Sequence, residues 1–197
     1  GRDHVTVPRG FRDVGGVSMT VYRAAKIIRE SIPVLCICAA FEIAGGQVLN
    51  RSLIIPLLML VPMINGVGGN LGSVLGARLA SGLHAGYIQP VLGDRELMKN
   101  IGTTLVLGLV TFACLSLVGY PVMRVLGSPI PLVHLVAIVF IAGCLLTVIE
   151  IISCIGIAII SYRRGLDPDD VVIPIVTTIG DLMGIICLFV AIGVVGI

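Results

Sequence analysis

Five long apolar stretches, set apart by short polar interruptions, dominate the pattern of this chain. They run from about Ile32 to Leu49, Leu53 to Leu83, Ile101 to Leu126, Pro131 to Ser161, and Val171 to the C-terminus. Within each, apolar positions run on without the alternation of a strand, over a length comparable to the ~20 residues a helix needs to cross roughly 30 Å of hydrocarbon. The pattern predicts an all-α, polytopic membrane protein with five transmembrane helices. Pro33 falls in the first turn of the first span, where a proline is tolerated. The connections are short, so neighbouring spans should run antiparallel. The polar stretch from Ala85 to Asn100 is expected to be a loop with a short helix near Asp94 to Lys99.

Ahead of the first span the pattern changes. Residues 1–16 are polar and glycine-rich. From Val17 to Glu30 a helix is expected, with Val21, Ala24, Ala25 and Ile28 on one face and Arg23, Lys26 and Arg29 toward the other. Such a helix either rests on the anionic leaflet or extends the first span. The division expected is therefore a cytoplasmic N-terminal tail over 1–30 and a five-helix transmembrane domain over 31–197. No cleavable signal peptide is expected, because the first apolar run has no small-residue cleavage site behind it.

Composition sharpens the membrane assignment. The 197 residues are 57% hydrophobic and 12% charged, with a mean hydropathy of +1.11. Soluble domains carry roughly a quarter charged residues, and none of this size has enough interior to hide so much apolar surface. Lipid is the expected partner for the outer surface, the cell membrane the expected location, and no nucleic-acid partner is expected. The 25 glycines suit close helix packing. The six cysteines lie inside apolar runs with no CxxC pair and read as small apolar fillers. With the N-terminus inside, 11 of the 13 basic residues fall on cytoplasmic segments, leaving Arg51 and Arg124 outside. The positive-inside rule then puts the C-terminus outside.

Three carboxylates interrupt the spans: Glu42, Glu150 and Asp181. Ionisable groups at such depth are costly and point to function. No Lys or Arg lies at matching depth, so each is protonated, faces water, or meets a cation. His134 reads as a packed interface histidine. Around Asp181, Thr177 is four residues earlier and shares its helix face. Pro174 removes a backbone donor and loosens a carbonyl near residue 170, and Gly180 and Gly184 permit close backbone approach. Carboxylate, hydroxyl and carbonyl oxygens suit a hard divalent cation such as Mg2+. In the second span, Asn65, Gly66, Gly68, Gly69 and Asn70 are expected to form a locally distorted helix facing a cavity. Asp167, Asp169 and Asp170 sit ahead of the last span, where they favour a helix N-terminus and concentrate cations at an inner mouth. No Ser/His or Cys/His constellation and no HExxH is present, so an enzyme is not expected.

Gly69-Asn70-Leu71-Gly72 followed by Ala77-Arg78-Leu79, and Gly165-Leu166-Asp167-Pro168 followed by Pro174, Thr177-Thr178, Asp181 and Gly184, resemble the membrane domain of the MgtE magnesium channels. The same residues look closer still to solute carrier family 41. The similarity spans roughly residues 30–197. It implies a five-helix domain that works as a homodimer with a Mg2+ pathway on its two-fold axis, Asp181 holding hydrated Mg2+ and Asp167 contributing near the cytoplasmic side. The solute carrier members usually have Glu after Gly-Asn-Leu, where this chain has Gly72, and they fuse two such domains. The resemblance therefore implies a second copy or a paralogous half. The expected ligands are Asp181, Thr177, Asn70 and Asp167, and the further pathway or coupling residues Glu42, Glu150, Gly66, Gly69, Thr178 and Asp170. The readings to be weighed are a Mg2+ channel or transporter, a Na+- or H+-coupled exchanger, and a non-transporting membrane subunit.

Overall fold

The computed structural model of the protein describes residues 29, 32–41, 43, 60–91, 93–125 and 130–196. Among them all regular structure is helical. We number the helices α1 (Ile32–Phe41), α2 (Leu60–His84), α3 (Arg95–Val125), α4 (Leu132–Arg163) and α5 (Pro168–Val195). The expected tail over 1–30 apart from Arg29, residues 44–49 of the first apolar stretch, residues 53–59 of the second, and Glu42 lie outside the described residues.

Helices α3, α4 and α5 are long and apolar enough to cross a membrane. Helix α2 spans 25 residues, about 37 Å at ~1.5 Å per residue. Helix α5 packs against both α2 and α4, α4 also packs against α3, and α3 touches α2 along one edge. Half of the apolar window of α4 and of α5 is buried, against 22% for α3. Helix α3 is thus the peripheral one, its Val106, Val110, Leu117 and Val118 facing outward, as suits a surface solvated by lipid.

The core divides into two apolar clusters. One joins Leu60 and Ile64 of α2, Met123 of α3, Leu135 and Ile138 of α4, and Leu188 and Ile192 of α5. The other joins Leu79 and Leu83, Leu97, Ile155 and Ala158, and Val172. The start of α2 therefore meets the end of α3, the start of α4 and the end of α5, so consecutive long helices are antiparallel. Between the clusters lies a layer rich in glycine and polar side chains.

The turns explain how the chain reverses. Helix α4 ends where Gly165 adopts a left-handed φ of 69° and Leu166 N–H reaches back to Ser161 O at 3.0 Å, closing the helix as glycine-terminated helices commonly close. Asp167 then caps α5, its carboxylate accepting from Asp169 N–H at 3.1 Å. Pro168 follows at the first helical position, where its missing N–H costs nothing.

Two expectations are corrected. The span expected from Ile101 begins at Arg95, and the short separate helix near Asp94 to Lys99 is its first turn. Asp94 supplies the cap, accepting from Glu96 N–H at 3.0 Å and Leu97 N–H at 2.9 Å. The helix distortion expected around Asn65 to Asn70 is absent: α2 continues through the glycines. Packing overrides their weak helix propensity, because the space left by Gly68 and Gly69 is filled by Leu146, Glu150 and Thr177.

Candidate cation site along the α2–α5 seam

Helices α2 and α5 are joined by a line of polar contacts. Asn65 Nδ2 donates to the Asp181 backbone oxygen at 3.0 Å. A Cβ on Gly69 would lie 3.3 Å from Thr177 Cγ2, so these residues pack in direct contact. One turn on, Ser73 Oγ lies 3.3 Å from Thr177 Oγ1. At the end of the seam, His84 Nε2 lies 3.1 Å from Asp167 Oδ1. Asn65, Ser73, Thr177 and Asp181 are all half-buried, so the seam opens to one side of the protomer.

Each hydroxyl donates into its own helix. Ser73 Oγ donates to Gly69 O at 2.7 Å, and Thr177 Oγ1 donates to Ile173 O at 2.8 Å. With both protons turned into their own helices, the facing oxygens present lone pairs. Two such oxygens suit a hard cation or its water shell. Asp181 lies fourteen residues along α5 from Asp167, roughly 21 Å at ~1.5 Å per residue, which puts one carboxylate at mid-helix and the other at the mouth.

The remaining expected residues fall in different places. Asn70 and Gly66 lie on the exposed face of α2, one step around from the seam. Thr178 does not join Thr177. It is buried, donates to Pro174 O at 2.9 Å, and lines a cleft of about 300 Å³ between α1 and α5 with Val34, Cys38 and Phe41. A one-residue step turns a side chain by roughly 100° about a helix, which carries Thr178 off the seam. Asp170 lies in the first turn of α5, half-buried. Pro174 is accommodated inside continuous α5.

Glu150 is wholly buried, with 0% exposure, so water contact is eliminated for it. It projects from α4 into a hollow between α2 and α5. A Cβ added to Gly72 or Gly180 would overlap its carboxylate, and one on Gly68 would lie 3.7 Å from Oε1. Neither carboxylate oxygen has a hydrogen-bond partner. One turn further along α5, Gly184 receives the Asn65 side chain in the same manner. Two polar side chains thus fill glycine notches on α5 on either side of Asp181.

The order of these features along the chain is that of a known family. A family model described as MgtE, a divalent cation transporter, matches residues 61–191, about two-thirds of the chain. The chain belongs to the MgtE family. No solved structure matches it. The MgtE match begins within α2 and ends within α5, so the seam falls inside it. It lies within the expected domain over 31–197 and makes the protein a member of a transporter family rather than an enzyme family.

Three residues of the site stand apart from the expected ligand set. Ser73 is a lone serine in an apolar run, and its spacing from Gly69 is the only hint the sequence holds. His84 ends α2 and could be joined to Asp167 only once α2 and α5 were known to be neighbours. With Asp169 they bring three ligand atoms within 4.8 Å of one another. Asn65, expected as part of the cavity wall of α2, makes the contact to α5 through its amide nitrogen. All six cysteines are free. Cys38 and Cys154 point their thiols at helix carbonyls, 3.6 Å from Pro174 O and 3.9 Å from Gly72 O, which fits the expected filler role. His134 has a buried Nδ1 without a partner and belongs to no metal-ligand cluster among the described residues.

Proposed function

We propose that the protein carries Mg2+ across the cell membrane along the α2–α5 seam, with Asp181 as its central ligand and a second copy completing the pathway. The observation that carries this reading is the seam itself: Ser73 and Thr177 bring their hydroxyls together between α2 and α5, Asp181 follows one turn along α5 where Asn65 bonds its backbone oxygen, and Asp167 and His84 meet at the end. Half-buried polar residues inside a membrane span face a water-filled cavity or another protein surface rather than lipid, which supports a cover over this face. A second copy supplies it, and two facing Asp181 side chains then repel unless a cation lies between them. Mg2+ keeps several of its waters when bound, so Asp181, Thr177 and Asn70 act mainly through water, and Asp167 gathers ions at the mouth. His84, Arg95, Lys99, Arg163 and Arg164 share the mouth end, which supports a cytoplasmic orientation for it.

The test is Mg2+ flux in proteoliposomes. Asp181→Asn is expected to abolish flux while the dimer, read by size in detergent, persists. Normal flux in that variant would sink the reading. A coupled exchanger is the second reading, favoured by Glu150, which is buried beside the seam without a partner. Sustained single-channel currents in a voltage-clamped bilayer would exclude a pure exchanger. A protein that passes no Mg2+ in either assay would be a non-transporting subunit.

A further inference from the structure

Glu150 is the least explained group in the molecule. It is fully buried, neither oxygen has a partner, and three glycines from two helices shape the hollow that holds its carboxyl. A bare carboxylate without donors is among the most costly groups to bury. The hollow must therefore hold either a metal ion or a proton. A metal ion would need five or six oxygens around it. The hollow offers glycine Cα atoms and the side chains of Leu146 and Val176. The other buried unpartnered oxygen in this layer is Asn65 Oδ1. A proton needs one acceptor and no shell.

We propose that Glu150 is a proton site coupled to the cation site on the other side of α5, releasing its proton when a divalent cation occupies the Asp181 position. This rests on the Mg2+ reading above. Gly69 and Gly180 separate the carboxyl from the Thr177 and Asp181 face, and neither carries a side chain to screen it. The Glu150 carboxyl packs against Gly180, the residue next to Asp181 in α5. The positive charge of a divalent cation at Asp181 favours the ionised form of Glu150. Because coupling between two binding sites is reciprocal, a proton on Glu150 weakens cation binding by the same factor. Few other groups compete for this role. On α5, Asp181 is the charged residue next to Gly180, against which the carboxyl packs. From α2 the neighbours are Gly68 and Gly72, with Asn65 nearby as a neutral amide. The buried polar residues of α3, Thr104 and Ser116, carry no charge. On α4 itself, Cys154 lies one turn further on and turns its thiol to Gly72 O at 3.9 Å.

Mg2+ binding to the purified dimer, titrated by calorimetry across a pH series in sodium-free buffer, tests this. The wild-type affinity is expected to rise with pH, approaching tenfold per pH unit for each linked proton. Glu150→Gln, a neutral isostere, is expected to lose most of that slope and to bind at the weak, low-pH level throughout. A second measurement on wild-type protein covers a variant that does not assemble: the protonated-carboxyl infrared band is expected to diminish when Mg2+ is added. Mg2+ binding that is independent of pH, a full slope retained in Glu150→Gln, or a carboxyl band unmoved by Mg2+ would each overturn the proposal. So would an affinity that follows added Na+ instead of pH, since the occupant would then be the metal ion. Failure to bind Mg2+ at any pH overturns the transport reading as well, which separates the two.

Discussion

The Asn65 amide donates a 3.0 Å hydrogen bond to the backbone oxygen of Asp181, while its own Oδ1 sits in the notch left by Gly184. A carbonyl has two lone pairs, so Asp181 accepts this bond in addition to its place in the helix. The amide therefore ties α2 to α5 at the level of the proposed ligand. Asn65→Leu keeps bulk and removes the donor. It is expected to lower stability by about 1 kcal/mol, read by thermal unfolding in detergent. Mg2+ flux is expected to fall much further than that loss implies, because Asp181 is no longer held in register. Equal, small effects on both would make Asn65 a packing residue only.

The glycine notches should be intolerant of a single methyl. A Cβ on Gly72 or Gly180 would overlap the Glu150 carboxylate, which is enclosed on several sides and has little room to retreat. Overpacking of this kind costs about 1–3 kcal/mol. Gly180→Ala is expected to show that loss, and combining it with Glu150→Ala should recover part of it, since contacting residues are not additive. Gly66→Ala is the control. Nothing lies within 4 Å of a Cβ there, so it should be neutral or slightly stabilising. Identical losses at Gly66 and Gly180 would contradict the notch.

What could be read from the sequence follows the range of the interaction. The helices were legible because an apolar run is its own signal, and the α5 cap because Asp167-Pro168 is a local one. The start of α3 was misjudged because its first turn, Arg95 to Asn100, is polar on most sides and resembles a loop until the Asp94 cap is seen. The continuity of α2 was misjudged because Gly66, Gly68, Gly69 and Asn70 are poor helix formers in isolation. Gly68 and Gly69 are set there by the partners Glu150, Leu146 and Thr177 on two other helices. Asp181 and Thr177 were found as a pair through their spacing of four. Thr178, expected as a further pathway residue, is turned by its one-residue step toward the cleft against α1.

At the mouth, Asp167 serves two purposes that substitution can separate. Its carboxylate caps α5 and lies 3.1 Å from His84 Nε2. Asn caps about as well as Asp, whereas Ala costs about 1 kcal/mol. Asp167→Asn should therefore keep the wild-type unfolding temperature, and Asp167→Ala should lower it. Both lose the charge that gathers cations, so both should show weaker apparent Mg2+ affinity in flux assays, with the deficit growing at low ionic strength, where surface charge acts at longer range. Wild-type affinity in Asp167→Asn would leave Asp167 a cap and nothing more.

The exposed face of α2 predicts where a second copy sits. Gly66, Asn70, Val74 and Arg78 lie along it, beside the seam and away from the lipid-facing side of α3. An asparagine on a helix surface within the membrane calls for a polar neighbour or water, and a second protomer with its own seam offers both. In a background with the six cysteines replaced, Asn70→Cys is expected to join two copies through a flexible bifunctional thiol reagent. Val106→Cys, 59% exposed on α3, is expected to remain monomeric under the same treatment. Linkage at Asn70 should also respond to Mg2+, since a cation held between two Asp181 side chains draws the two seams together. Linkage through Val106 but not Asn70 would place the contact on the wrong side of the bundle, and the pathway at Asp181 would lose its second half.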